Sequence, residues 1–426
     1  MTQGRYRTPG VYRQDVFLEP VADLRTGVPA FVGLVRKAEV DNQAGQVSLQ
    51  PLPSAGLWLV RKYDPDRGAI WAPPAGAYSQ APEELTLWPQ FVERFGALAS
   101  YGYLAAAVRG FFANEGRLCY VQLVCYAADA AAALDAGLAT LGPLDTIDLV
   151  CAPDIMRPPL AGGAPTATDV QVLQTKLLDH CGAHGDRFAI LDALPGAAVD
   201  EVIRQRDGLN SANAALYYPW VRVADDGAPG GAFIPPSGHV AGVYARSDAR
   251  VGVHKAPANE TLEGVLDLEV GLTAREQDRL NPSGVNCLRS FPGRGIRVWG
   301  ARTLSRDPNW TYVNVRRLFL TAGRWVQRNM ADTVFEPNDP RLWTRIGREL
   351  STYFTGLFQR GALRGNTPQE AFYVKCDAAT NPPEVRAAGQ VVTEIGLAPG
   401  LPGEFVVVRI ILAAGGVSIV GPALPG

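Results

Sequence analysis

The chain has 426 residues, 47% of them hydrophobic, and its 40 basic and 42 acidic residues leave a net charge of −2. That length implies about two to three domains, and the balanced charge removes any bulk argument for a nucleic-acid partner or an acidic membrane surface. Charged residues interrupt every apolar stretch before the roughly 18 residues of a transmembrane helix, and Met1 to Pro9 carry charge without a following apolar segment, so neither membrane insertion nor a signal peptide is expected.

Thr8 to Pro29 has a Pro-Gly turn and scattered β-branched residues but no helical stripe, and is expected to be an extended arm. Ala30 to Val35 fits a buried strand, and the Pro- and Gly-rich stretch from about Asp41 to Gln80 an insertion with little helix of its own. Trp88, Phe91, Val92 and Phe95 recur at helical spacing, and Tyr101 to Phe112 predicts a second helix. Cys119 to Tyr126 predicts a strand, Ala127 to Leu141 a helix, Thr146 to Cys151 a strand, Val170 to His184 a helix and Arg187 to Leu191 a strand. Continuous apolar strands alternating with helices imply an α/β layer with a partly parallel sheet.

After Pro195 the chain is expected to be loop-rich, with a turn at Pro235 to Gly238 and a helix around His239 to Ser247. A C-terminal α+β unit is expected from near Gly295. It has short extended pieces at Ile296 to Trp299 and Trp310 to Val313, and long amphipathic helices at about Asn314 to Met330 and Pro340 to Arg360. Strands follow at Phe372 to Cys376, Val391 to Ile395 and Phe405 to Leu412. Between Arg289 and Arg364 there are 14 arginines and 5 acidic residues, so one basic face and an acidic remainder are expected. Arg341, Arg345 and Arg348 at i, i+4 and i+7 oppose Leu342, Ile346, Leu350 and Phe354. They form either a solvated polar face or an electrostatic docking surface.

No catalytic constellation emerges. His180 and His184 at i, i+4, with Cys181 beside them, could face one metal, but the Glu of His-Glu-x-x-His is missing and Gly182 and Gly185 suit a helix end better. The six cysteines form no Cys-x-x-Cys pair. Phosphate-loop, dinucleotide and Gly-x-Ser-x-Gly patterns are absent. No catalytic residue, metal or cofactor is expected. An α/β enzyme using His180, His184 and Cys181 is the remote alternative.

Tyr312 to Leu412 resembles the C-terminal block of contractile tail sheath proteins. The recurring pieces are Asn314-Val315-Arg316-Arg317-Leu318, Phe335-Glu336-Pro337-Asn338-Asp339 with Leu342-Trp343, Gly361-Ala362-Leu363, Thr367 to Phe372, Val374-Lys375-Cys376-Asp377, Thr380-Asn381 and Glu404-Phe405-Val406. The resemblance extends to Tyr6 to Tyr12, Ala30 to Gly33, and Tyr103-Leu104 through Phe111-Phe112, but not to the insertion at about 41–80.

The resemblance implies a multi-domain fold, α/β and α+β, whose N- and C-terminal arms add strands to neighbouring subunits. The expected divisions are an arm at 1–24, outer α/β domain(s) at 25–294, an inner α+β core at 295–403 and a C-terminal strand arm at 404–426. The candidate arm residues are Thr8, Pro9, Gly10, Val11 and Tyr12 at one end, and Phe405, Val406, Val407 and Val408 at the other. The single-chain alternative pairs both ends within their own sheet. The helix from Pro340 to Arg360 is the candidate for docking on an inner tube. Implied partners are further copies of the chain, the tube, baseplate and terminal cap proteins, and sheath paralogues. Assembly is expected in the bacterial cytoplasm, within a phage tail or tail-like particle. A non-polymerising baseplate or cap component is the alternative.

Overall fold

The computed structural model describes residues 24–41, 47–54, 56–63, 81–96, 101–157, 165–225, 228–330, 333, 336–399, 406–413 and 416–420. In chain order these form β1 (Pro29–Arg36), α1 (Lys37–Asp41), β2 (Val47–Pro51), β3 (Leu57–Tyr63), β4 (Glu83–Leu85), α2 (Trp88–Phe95), α3 (Leu104–Ala113), β5 (Cys119–Tyr126), α4 (Ala130–Thr140), β6 (Leu149–Cys151), α5 (Ala167–His184), β7 (Phe188–Asp192), α6 (Val199–Asp207) and β8 (Ala214–Tyr218). Next come β9 (Val221–Asp225), β10 (Ala228–Ile234), α7 (Ser237–Arg250), β11 (Glu260–Thr261), β12 (Val265–Leu268), α8 (Ala274–Leu280), β13 (Val285–Phe291) and β14 (Gly295–Val298). The last part holds α9 (Val313–Asn329), α10 (Pro340–Gln359), α11 (Pro368–Ala371), β15 (Phe372–Lys375), α12 (Pro383–Ala387), β16 (Val391–Leu397), β17 (Val406–Ala413) and β18 (Gly416–Val420).

An eleven-stranded sheet runs in the order β11-β14-β13-β8-β7-β6-β1-β5-β3-β2, with β4 also on β5. From β13 to β5 the neighbours are parallel, and parallel strands are covered on both faces, which is why they read as unbroken apolar runs. Alternation divides them between two cores. Phe31, Val35, Val121 and Cys125 pack with α2, α3 and α7, whereas Ala30, Val32, Leu34 and Val124 pack with α4 and α5. On the first side α3 and α7 meet backbone to backbone. A Cβ on Gly238 would lie 2.2 Å from the Ala107 carbonyl oxygen, and one on Gly242 2.6 Å from that of Phe111.

A second sheet, β15-β16-β17-β18, is antiparallel throughout. Leu342, Ile346, Leu350, Phe354 and Leu357 of α10 are buried in its core together with Ile395, Val408 and Ile410. Each such side chain contributes about 1.5–3 kcal/mol on burial. α9 spans both units: Val313 and Leu320 belong to the first core, and Leu318, Phe319 and Val326 to that of the second sheet.

Several expectations are corrected. The stretch after Asp41 is more than an insertion: Leu49, Leu57, Leu59 and Val60 are buried, and β2 and β3 extend the large sheet from β5. The region after Pro195 holds α6 and α8 rather than mostly loop. The Pro235–Gly238 turn passes directly into α7 at Ser237. Within Trp310 to Val313 the extended piece shrinks to Tyr312, which bridges Arg302 antiparallel: Asp307 Oδ1 accepts from Asn309 N and starts a 3-10 turn at Pro308–Trp310, and Val313 already opens α9. The division expected at Gly295 falls inside the antiparallel hairpin β13–β14, so the chain leaves the large sheet only after Val298.

At the C-terminus, Val406, Val407 and Val408 lie in β17, which pairs with β16 of the same chain. Phe405 and the arm residues Thr8, Pro9, Gly10, Val11 and Tyr12 lie outside the described residues.

Candidate functional site

Among the described residues, the end of α5 brings no metal-ligand set together. Gly185 adopts a left-handed φ of 66° and its N–H bonds back to Cys181, ending the helix as the two glycines suggested. His180 Nε2 lies 3.2 Å from Arg187 Nη1. Burial, then Arg187 and His184, push the His180 pKa down to about 3, so it accepts from the guanidinium as a neutral ring. Cys181 points into the core, where burial raises its thiol to about 12. Among the described residues no group of three His, Cys, Asp or Glu side chains could hold a metal ion.

The first group of motif residues, Asn314, Arg316 and Arg317, lies instead at a buried joint along α9. Arg317 is 2% exposed. Its Nη1 and Nη2 donate to Asp248 Oδ1 and Oδ2 at 3.0 and 2.6 Å, and Nη2 also reaches Asp148 Oδ2 at 2.8 Å. Its guanidinium carbon sits 4.9 Å from the centre of the Tyr244 ring. Burial alone would lower the pKa of this arginine, but the two carboxylates outweigh it and lift it well above the usual range. Burial raises that of Asp248 against the pull of Arg317.

The joint also holds the chain where it enters β1. Asp148 accepts from Gly27 N and Val28 N at 3.0 and 2.7 Å. Arg324, about two helical turns further along α9, donates to the carbonyls of Arg25, Asp145 and Thr146 at 3.2, 3.0 and 3.0 Å. Gly27 has φ +70°, and a Cβ there would meet Ala245 Cα at 2.5 Å, so only glycine passes over α7 at this point. The other motif residues of α9 act alike. Asn314 donates to the His254 carbonyl, and Arg316, its pKa lowered to about 10 by burial, bonds Asn213 and lies 4.6 Å from the Trp310 ring.

The second motif group builds the start of α10. Asp339 Oδ1 accepts from Arg341 N and Leu342 N, capping the helix. Asn338 links Trp343 Nε1 to the Gln390 carbonyl. Glu336 pairs with Arg345, while Pro337 is exposed. Asp377 Oδ1 accepts from Ala379 N and Thr380 N in a turn, and Lys375 is exposed on β15.

Of the three arginines expected to dock a partner, Arg341 and Arg348 are exposed. Arg345 is half-buried and engaged by both Glu336 and Glu349. Within the basic segment Arg317 and Arg324 are buried and Arg316 is half-buried, so these three serve the joint and not an exposed basic face.

Residues 147–304 match the phage tail sheath protein central domain, and residues 305–413 match the phage tail sheath C-terminal domain. The chain belongs to the phage tail sheath family. Among sheath relatives, the tail sheath protein of Salmonella phage ViI is 27% identical over 210 residues, 48% of this chain and 32% of the relative. That of Burkholderia phage BcepMu is 28% identical over 221 residues, 48% and 45% of the two chains. The matched stretches thus span about a third to under a half of these curated relatives.

Among solved sheath structures, the helical sheath of the anti-feeding prophage in its contracted state is 29% identical, with a TM-score of 0.66 over 94% of this chain and 98% of that one. The sheath complex of the extracellular contractile injection system PVC, also contracted, is 27% identical, with a TM-score of 0.63 over 93% and 97%. A sheath tail protein from Listeria innocua, 10% identical with a TM-score of 0.58, shares the fold alone. The resemblance read from Tyr312 to Leu412 is borne out by the C-terminal match. Sequence patterning missed Asp148 and Asp248, the joint's carboxylates. The visible signal was an acid inside the apolar run Thr146 to Cys151.

Proposed function

We propose that this chain is the sheath subunit of a contractile tail or tail-like injection particle. Copies assemble as stacked rings around an inner tube into an extended cylinder that shortens and drives the tube forward. The observation that carries this reading is the likeness to a contracted helical sheath over nearly the full length of both chains. The subunit is mechanical rather than enzymatic, with its free energy stored at assembly and released by rigid-body rotation of packed units. Assembly takes place in the cytoplasm, with a baseplate at one end and a cap at the other.

Two features support the mode of assembly. β18 is an outer strand of the second sheet, so among the described residues one of its edges is unpaired and open to an added strand. This suits the segment around Thr8 to Tyr12 of a neighbour. Arg341 and Arg348 on the exposed side of α10 suit an acidic tube surface, and a polar contact of modest area can break when the sheath contracts.

Negative-stain electron microscopy of the purified chain tests the reading. Hollow cross-striated cylinders are expected. Discrete particles that persist after the tube protein is added would refute it and favour a non-polymerising baseplate or cap component. Removing residues 1–20 is expected to leave a folded subunit without cylinders, and full-length cylinders from that truncation would refute the arm's role.

A further inference from the structure

Among the described residues, the hairpin β13–β14 carries charge that no carboxylate compensates. Arg289 and Arg297 are paired across the hairpin, so both project from one face, the face of Phe291 and Trp299. The two rings lie 4.6 Å apart. The guanidinium carbons of Arg289 and Arg294 lie 5.4 and 5.7 Å from the Phe291 ring centre. Arg294 Nη2 and Arg297 Nη1 both donate to Asn259 Oδ1 at 3.3 Å, and Arg289 Nη1 donates to Gln277 Oε1 at 2.8 Å. Arg297 also donates to the carbonyls of Asn259 and Arg294.

All of these acceptors are neutral, and among the described residues no carboxylate pairs with Arg289, Arg294 or Arg297. Other surface arginines do have one, as in Arg222–Asp267, Arg250–Glu115 and Arg279–Asp200. Three converging cations repel one another until an anion sits among them, and guanidiniums on aromatic faces suit planar carboxylates.

The complementary charge lies on another part of the chain. α5 exposes Asp169, Val172 and Asp179, with Val172 51% exposed. Among the described residues neither aspartate pairs with a basic side chain, and Lys176 between them is engaged by Asp135. β14 lies three strands from β7, the strand against which α5 packs. That separation is roughly 14 Å at about 4.8 Å per strand, and α6 and α8 pack over the β13 side. Contact between the two patches therefore requires two chains.

We propose that Arg289, Arg294 and Arg297 of one copy dock on the outer face of α5 of a second copy, with Val172 covering the Phe291–Trp299 pair. The inference rests on the self-assembly proposed above and adds the side chains of one contact. Because the two patches differ, the contact is head-to-tail, the kind that propagates into rings or helices.

Three variants test it: Arg289→Glu/Arg294→Glu/Arg297→Glu, Asp169→Arg/Asp179→Arg, and all five changes in one chain. Circular dichroism checks that each is folded, and the exposed Arg294→Glu alone serves as a milder probe. At low salt each reversal is expected to raise the protein concentration needed for cylinders at least about tenfold, and the five-fold swap to restore it. Wild-type assembly by the arginine variant would overturn the proposal, as would a swap that restores nothing. So would sulfate that stabilises the wild type against heat while assembly ignores both reversals, which would mark a free-anion site.

A wild-type chain that never polymerises would refute the sheath reading separately. The contact is then read from salt-dependent self-association in sedimentation velocity. Association lost in both reversals and regained in the swap supports it, and no wild-type association, or equal association of all four proteins, overturns it.

Discussion

Replacing Arg317 by methionine tests the buried joint most directly. The side chain is 2% exposed and makes three short charged hydrogen bonds, two to Asp248 and one to Asp148. Methionine fills much of the volume, so the loss is mainly electrostatic: two carboxylates stay buried beside each other without a cation. Breaking a buried pair by removing one partner costs about 3–5 kcal/mol, and the upper part of that range is expected here because two acids lose the same partner. The cost should depend on pH. Burial already raises the Asp248 pKa from its ordinary value, and without Arg317 its folded-state pKa rises further. The folded variant then binds more protons than the unfolded chain above pH 4, so its stability falls as pH rises and its deficit is smaller at pH 5 than at pH 8. Urea unfolding of both chains at these two pH values measures the deficit. Adding Asp148→Asn and Asp248→Asn should recover most of it. A variant within about 1 kcal/mol of wild type at pH 8, with the same pH profile, would refute this account of the joint.

Gly238→Ala would put a methyl group 2.2 Å from the Ala107 carbonyl oxygen; separating α3 from α7 should cost about 1–3 kcal/mol, read as a lower urea midpoint, whereas Gly347→Ala on α10, with nothing within 4 Å, should cost nothing. His239 is fully enclosed and burial pushes its pKa down to about 4; its contribution is present above pH 6.5 and lost as pH falls toward 4, by up to about 3 kcal/mol, and His239→Gln should flatten that part of an acid-unfolding profile. Arg341→Glu/Arg348→Glu should leave the urea midpoint unchanged but weaken assembly on the tube; normal extended particles would rule out docking through this face.

The elements most legible in the sequence were those whose side chains face one environment along their whole length. β5 was located at its observed bounds because all eight of its residues are buried, and α10 because its apolar stripe is uninterrupted. α6 was missed because it is largely polar, with Val202 its one buried aliphatic residue. Only half of a start signal was present, since Glu201 accepts from the backbone N–H of Ala198 while Ala198 has no side-chain oxygen to return the bond. The reciprocal Thr273–Glu276 cap of α8 was readable in full. What could not be read was which arginines turn inward. Arg316 and Arg317 look as basic in the sequence as Arg341 and Arg348, and only pairing across 69 and 169 positions in the chain separates Arg317 from the surface set. Local periodicity carries no information at that range.

The same joint limits how the chain can be divided. The two family domains meet between residues 304 and 305, yet a cut there would leave Asp148 and Asp248 in one piece and Arg317 and Arg324 in the other. The first fragment would keep two buried acids with no cation, and the second would expose the face of α9 that now lies in the first core. The unit that could be exchanged between relatives thus runs through α9 and ends after Asn329. A chimera joined there keeps Arg317 with its two carboxylates and Arg324 with its backbone carbonyls.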